Sequence, residues 1–534
     1  MSPLLHIHLL INRFRPPSIL VFFLFLTFFY TLQSQKTASA QLTIQIDPQG
    51  PATQIHHTLL GMNLPTWLNR EKSANPVFQS RAIHSGMSLV RIPGGSWSSE
   101  INWEPCESQD ICNKGATEGW IIRPTEYIKF LKATGRQAMY TLNANGTSQE
   151  AAALVAYFNG SISDTKTIGI DKNGKDWETV GKWARLRQQH SPDNSPDPYP
   201  IIWWEFGNEF YGGKSGTDCQ SWGWETAWTC DGYEYIHGIG SGANRHEGYL
   251  EFRAAMQAVD PSIKLGAIGV AKQNEWGNWG NEVIAEAGNI LDFYIIHQYA
   301  YFNPPTNRQE SLTEPQTTWP SLVANVNAAF DTYAGGRRVP LAVTEYNMFS
   351  SWDRDPGKCN GKNHPDDTDY GLVDVGSSNF TPYPQYYVFP LWSNFGSTMI
   401  PVQAAVNEAT TLSLYGGKIN ATTMSLLAIN KTGTAIPATV KIRGKNIQNA
   451  MLDQVTADML SSLSVLYNNI ATPYLDFSNA PSLQLSPTGG NLNHSFPKYS
   501  ITLLRLSTQT SQPPPPHPGN TSPIQPGIIM LLDE

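Results

Sequence analysis

Residues 201–210 read IIWWEFGNEF, an apolar run broken at its end by Gly207-Asn208-Glu209. A short apolar run bounded by a glycine suits a strand buried on both faces, as the strands of a parallel sheet are. An amide beside a carboxylate where such a strand runs out is either solvated trim or a reagent. The neighbouring segments decide between the two.

Similar runs lie on both sides. TLLGMNL (58–64), SLVRIPGG (88–95) and QAMYTLNAN (137–145) precede it; IKLGAIG (263–269), LDFYIIHQY (291–299), PLAVTEYN (340–347) and TMIPVQA (398–404) follow. Helix-like segments separate several of them: PTEYIKFLKATG (124–135), QEAAALVAYFNG (149–160), HEGYLEFRAAMQAVDP (246–261) and WPSLVANVNAAFDTYAG (319–335). Strands alternating with helices predict βα units and a parallel sheet, and eight of them predict an α/β chain with a (β/α)8 TIM barrel over residues 58–408. Residues 409–508 change to short alternating strands between turns, the pattern of a β-sandwich. The alternating QLTIQID within residues 41–57 is expected to join that sandwich, and the proline-rich tail, 509–534, is expected to be disordered.

The N-terminus reads as an export signal over residues 1–40. Arg13 and Arg15 precede the apolar run Ile19 to Leu32, and Ala38-Ser39-Ala40 offers a small-x-small cleavage site. The run is short for a membrane span, so the expected product is a secreted chain with no span after cleavage. Export fits the cysteines: Cys106 with Cys112 and Cys219 with Cys230 are close enough for two local disulfides, leaving Cys359 over. No spacing here is a zinc pattern, and no phosphate loop or dinucleotide fingerprint stands out, so neither cofactor nor metal is expected. A formal charge of −8 argues against nucleic acid as the main partner. Sixteen Trp within an 11% aromatic share suit a ligand with flat apolar faces beside hydroxyls, as sugar rings have.

Side chains at the C-terminal ends of barrel strands face the active-site mouth. Those positions hold Arg91 after the second strand, Asn143 after the third, Asn208 and Glu209 after the fourth, His297 and Tyr299 after the sixth, and Glu345 after the seventh. Two glutamates on opposite walls of one mouth are what hydrolysis of a glycoside with retention requires. One attacks the anomeric carbon while the other, protonated, serves the leaving oxygen.

LVRIPGGSW, LNANGTSQEAAALVAYFNG, IIWWEFGNE, AMQAVDPSIKLGAIG, FYIIHQY and LAVTEYN, with KYSITLLRL near the end, resemble the clan A glycoside hydrolases, most closely the family 51 α-L-arabinofuranosidases. The resemblance covers most of residues 42–508. It implies Glu209 as acid/base, Glu345 as nucleophile, and Asn208 as the partner of the sugar 2-hydroxyl. Arg91 and Tyr299 would hold Glu345 ionised, and Asn143 and His297 would line the sugar site. Chemistry agrees: a nearby guanidinium and phenol favour an anionic nucleophile, and burial beside Trp203, Trp204 and Phe210 would keep an acid protonated.

The segment 212–248 and the loop QNEWGNWGNE (273–282) depart from the family, the latter adding Trp276 as a candidate sugar contact beside Trp279. Glu205, four residues before Glu209, is read as structural. Glu100, Glu104 and Glu225 fall in loops and are read first as solvated trim. An exo-acting α-L-arabinofuranosidase acting on plant-type polysaccharide or oligosaccharide is the expectation. An endo-β-glycanase or β-xylosidase of the same clan, or a carbohydrate-binding surface protein without catalysis, are the alternatives.

Overall fold

The computed structural model describes residues 41–534 except 114–115, 118, 214–222, 302–306, 308, 350–370, 510–528 and 533–534. Eight parallel strands close into a barrel in sequence order: β1 Leu60–Asn63, β2 Leu89–Ile92, β3 Gln137–Thr141, β4 Trp203–Glu205, β5 Lys264–Ile268, β6 Phe293–Tyr301, β7 Leu341–Phe349 and β8 Ile529–Leu532. The signal segment and Cys359 lie outside the described residues, and among the described ones no helix is long and apolar enough to cross a membrane.

Helices connect the strands on the outside: α1 Pro76–His84, α2 Pro124–Thr134, α3 Ser148–Asn159, α4 Val180–His190, α5 Tyr249–Val259, α6 Glu275–Ala287 and α7 Pro315–Tyr333. Their ends follow local chemistry. Pro124 opens α2, where a missing N–H costs nothing, and Gly135 ends it in the left-handed region at φ 67°. Thr147 caps α3 by accepting from the Glu150 N–H at 3.2 Å. The loop expected at 273–282 is instead largely the start of α6, kinked where Trp276, Gly277 and Asn278 take positive φ.

Strand alternation builds the barrel in layers. Leu89, Met139, Trp203, Phe293, Ile295 and Ala342 form an inner apolar plug. Their strand neighbours Val90, Tyr140, Trp204 and Tyr294 face outward into the core shared with the helices. Each fully buried Leu, Ile or Phe there contributes roughly 1.5–3 kcal/mol, which makes the barrel a firm frame for the polar layer above the plug.

The eighth strand corrects the sequence reading. Residues 398–404 form two sandwich strands, Thr398–Ile400 and Val402–Ala404, and the barrel is closed by Ile529–Leu532, from the segment expected to be a disordered tail. Barrel strands are buried on both faces, whereas Thr398–Ile400 and Val402–Ala404 are each exposed at their central residue, Met399 and Gln403, as antiparallel strands with a solvated face are. The sandwich pairs a four-stranded sheet, in which Leu42–Ile46 lies parallel to Ile436–Ile442, with a larger antiparallel sheet around a separate apolar core.

Candidate active site

Arg91, Thr141 and Glu205 each lie two residues beyond a plug residue of their own strand, so alternation turns all three inward. They meet: Arg91 Nε donates to Glu205 Oε2 at 2.6 Å, and Thr141 Oγ1 donates to the same oxygen at 2.5 Å. Arg91 also donates through Nη1 to Glu345 Oε1 and through Nη2 to Asn208 Oδ1, both at 2.8 Å. Its side chain is 1% exposed. Burial opposes its charge, but Glu205 and Glu345 more than offset that, so it stays a cation. Glu205 is thus the anchor of Arg91, in keeping with a structural role.

On β6, Ile295 belongs to the plug, so His297 and Tyr299 point inward as well. On β7, Ile296 pairs with Val343 but His297 pairs with Glu345, which leaves Thr344 as one extra residue. Strict alternation from inward Ala342 would turn Glu345 outward; the bulge brings it back inside, opposite His297. Tyr299 donates its hydroxyl to Glu345 Oε2 at 3.0 Å. His297 Nδ1 lies 2.8 Å from Glu209 Oε1 and 3.2 Å from Glu345 Oε2, and its Nε2 bonds Thr344 Oγ1 at 3.0 Å.

Glu209 leaves β4 through a sharp turn. Gly207 has φ 82°, and a Cβ there would sit 2.9 Å from the Phe210 ring and 3.1 Å from Ala144 Cβ; Glu209 itself has φ 39°. Gly207→Ala is therefore expected to cost about 1–3 kcal/mol and to displace Glu209. Thermal unfolding and turnover of the variant check this. The carboxylate of Glu209 accepts from Tyr211 Oη and from Trp224 Nε1, both at 2.7 Å. These two, not Trp203 and Trp204, surround it. Trp203 belongs to the plug and Trp204 to the outer core, since adjacent strand residues point to opposite faces.

With no sugar bound, the charges are shared among three groups. Burial works against the charge of Glu209, but the His297 bond and charge and the Tyr211 and Trp224 donors hold it low, at about 2. Burial also opposes charge on His297, yet Glu345 and Glu209 raise it to about 9. Glu345 is raised, by burial first, with His297 and Arg91 pulling the other way. The proton of the Glu209–His297 pair therefore rests on the imidazole. Glu209, His297 and Glu345 each place one ligand-type atom within 4.8 Å of the others, the one such cluster among the described residues. These side chains are already hydrogen-bonded, so they could hold a cation only by giving up bonds. The set suits sharing a proton.

Other expected residues fall nearby in different ways. Asn143 spends its amide on the loop, donating to Ile101 O and accepting from Asn145 N–H, both at 3.0 Å. Trp276 packs against Tyr211 and Trp224, with ring centroids 5.6 and 5.1 Å away, so it backs the groups that bond Glu209. Trp279 is fully buried, donating to Ile268 O. Glu104 pairs with Lys175 and Glu100 accepts from Thr226, as surface groups do. Glu225 does not fit that class: it is 4% exposed and bonded to Asn208. Cys106 and Cys112 form a disulfide. Cys230 is disulfide-bonded too, while Cys219, its expected partner, lies outside the described residues. Tyr211, Trp224 and Thr344 were not among the expected site residues. The only signal was the nearness of Tyr211 to Asn208-Glu209.

No protein-family model matches the chain. Over 286 residues it is 27% identical to an intracellular exo-α-(1→5)-L-arabinofuranosidase of Streptomyces lividans, a match spanning 49% of this chain and 36% of that relative. The chain thus matches little more than a third of the length of such curated relatives. A family 51 α-L-arabinofuranosidase of Thermotoga petrophila superposes with a TM-score of 0.61 at 17% identity, covering 87% of this chain and 100% of that one. A family 44 xyloglucanase of Paenibacillus polymyxa superposes at 0.54 and 14% identity, covering 88% and 100%. The chain has the fold of the family 51 α-L-arabinofuranosidases and sequence similarity to them.

Proposed function

We propose that this chain, with its likeness to family 51 α-L-arabinofuranosidases, is a retaining glycoside hydrolase that removes α-L-arabinofuranosyl units from plant-type polysaccharide or oligosaccharide. The observation that carries the reading is the approach of Glu209 and Glu345, an oxygen of each within 4.8 Å across one barrel mouth. Retention needs carboxyl groups roughly 5–5.5 Å apart, whereas inversion needs about 6.5–9.5 Å to admit a water between them.

Glu345 takes the nucleophile's role. Arg91 and Tyr299 fix its two oxygens, and its side chain is 9% exposed against 16% for Glu209. Water must reach the acid/base in the second step, so the more open carboxylate suits that task. Before Glu209 can donate a proton it must receive one, and His297 Nδ1 is the donor in place at 2.8 Å. Then Glu345 attacks the anomeric carbon, the glycosidic C–O bond breaks, and Glu209 hands its proton to the departing oxygen. The resulting ester has no charge, and Glu209, again a carboxylate, takes a proton from the water that cleaves it. Asn208 is assigned to the sugar 2-hydroxyl.

The names of the relatives point to the arabinofuranosyl group. Crowding of the mouth by Tyr211, Trp224 and Trp276 supports exo action. Release of p-nitrophenol from a panel of aryl glycosides tests the activity, and products from arabinoxylan, xylan and β-glucan test the sugar and the mode. Cleavage of none of these, with Glu345→Gln changing nothing, would leave a carbohydrate-binding protein. Internal cleavage of xylan or β-glucan would make it an endo-β-glycanase, and release of xylose a β-xylosidase. Glu209→Ala is expected to slow substrates with poor leaving groups by on the order of 10²–10⁴-fold and those with a dinitrophenyl leaving group far less in the first step. Equal slowing of both would remove the acid role.

Export of the chain, with cleavage near Ala40, is part of the same proposal. The disulfide Cys106–Cys112 supports an oxidising compartment. The N-terminal residue of the protein recovered from the medium tests it.

A further inference from the structure

Glu225 lies on the segment that departs from the family, and it is a further carboxyl group of the mouth beside Glu205, Glu209 and Glu345. Its Oε1 accepts from Asn208 Nδ2 at 3.0 Å and from Ser96 Oγ at 2.7 Å. Its Oε2 is buried and has no hydrogen-bond partner among the described residues. The orientation of the Asn208 amide is unambiguous, because Arg91 can only donate: Oδ1 must face Arg91, and Nδ2 must face Glu225. Two neutral donors on one oxygen are poor compensation for a buried anion that already has two carboxylates beside it.

We propose that Glu225 is a positioning residue for hydrolysis, a neutral carboxyl group that holds the Asn208 amide in the orientation used for the sugar. This rests on the catalytic reading of Glu209 and Glu345 above. Protonated, the group accepts through Oε1 and carries its hydrogen on Oε2. Ionised, it would add another negative charge beside Glu209 and Glu345. Burial and the nearby Glu209 and Glu345 push it up to about 8, against the Ser96 and Asn208 bonds. Tyr211, which also senses Glu225, is itself raised by burial and stays neutral throughout this range, and Arg91 on the other side of Asn208 stays a cation.

Gln is the neutral mimic, with a carbonyl for Asn208 and Ser96 and an amide in place of the hydroxyl. Glu225→Gln is expected to keep kcat/KM within about threefold, whereas Glu225→Ala removes the acceptor of Asn208 Nδ2, leaves the amide held at Oδ1 by Arg91, and loses on the order of 10–100-fold. The wild-type rate should fall as pH rises through about 8, where Glu225 ionises; in Glu225→Gln that limb should move up toward about 9, where His297 loses its proton. Stability gives a readout independent of turnover. A carboxyl raised from 4.5 to about 8 contributes its stability below 4.5 and loses it as pH rises to about 8. Glu225→Gln should therefore gain on the wild type in unfolding temperature between pH 5 and 9.

An active wild type whose alkaline limb is unmoved in Glu225→Gln overturns the proposal. So does a Gln variant as impaired as the Ala variant. A wild type inactive on every glycoside overturns the catalytic reading beneath it, which is a different result from either.

Discussion

Glu345→Gln is expected to lower kcat by on the order of 10⁴–10⁶-fold, because it removes the atom that forms the covalent bond. The substitution keeps the shape but not the acceptors. Arg91 donates to one oxygen and the protonated His297 faces the other at 3.2 Å, so an amide nitrogen in either place sets donor against donor. Binding of sugar should weaken far less than turnover. A complementary variant, Glu345→Ala, leaves room for azide, which would attack from the face the carboxylate used and yield a glycosyl azide of inverted configuration. Azide with Glu209→Ala should instead give the retained product, since it then replaces water in the second step. The configuration of the two azides, read by NMR, assigns the roles separately. Retained product from Glu345→Ala would exchange the two glutamates, and unchanged hydrolysis by Glu345→Gln would remove Glu345 from the nucleophile's role.

Arg91→Ala is expected to be the most destabilising single change in the mouth, by about 3–5 kcal/mol, the range for leaving the partner of a buried ion pair uncompensated. Arg91 holds three groups at once: Glu205, Glu345 and Asn208. Glu205 is wholly buried, its Oε1 has no hydrogen-bond partner among the described residues, and its Oε2 would keep Thr141 but no cation, so its charge would be stranded. Urea unfolding measures the loss. Arg91→Lys should recover part of the stability but little of the rate, because one ammonium cannot reproduce a planar fork aimed at three acceptors. A variant as stable as the wild type would show that the network contributes nothing to the fold.

Much of this site was legible before the tertiary structure. Short apolar runs ending in polar or glycine-rich residues marked β1 to β7, and the polar residues at their ends named Arg91, Glu209, His297, Tyr299 and Glu345. Those residues do meet in one mouth. The misreadings share a cause. Residues 398–404 resemble a barrel strand in composition, and only their antiparallel pairing with Gly416–Lys418 and with Ile44–Ile46 assigns them to the sandwich. Glu225 looked like loop trim because a loop glutamate usually is solvated. What makes it otherwise is burial against Ser96 and Asn208, more than a hundred residues and 17 residues away along the chain. Local pattern carries no information about such distant neighbours.

Local sequence therefore determined the first seven barrel strands and the reagents they carry at their ends, because backbone preference and a period of two act over a few residues. Tertiary structure alone decided how those reagents interact. The bulge at Thr344 turns Glu345 to face His297, a one-residue shift in register that no spacing along β7 reveals. The same packing puts one imidazole between two carboxylates and a third carboxyl group behind Asn208. Charge and protonation depend on distances of about 3 Å between groups on different strands, and only the closed barrel sets those distances.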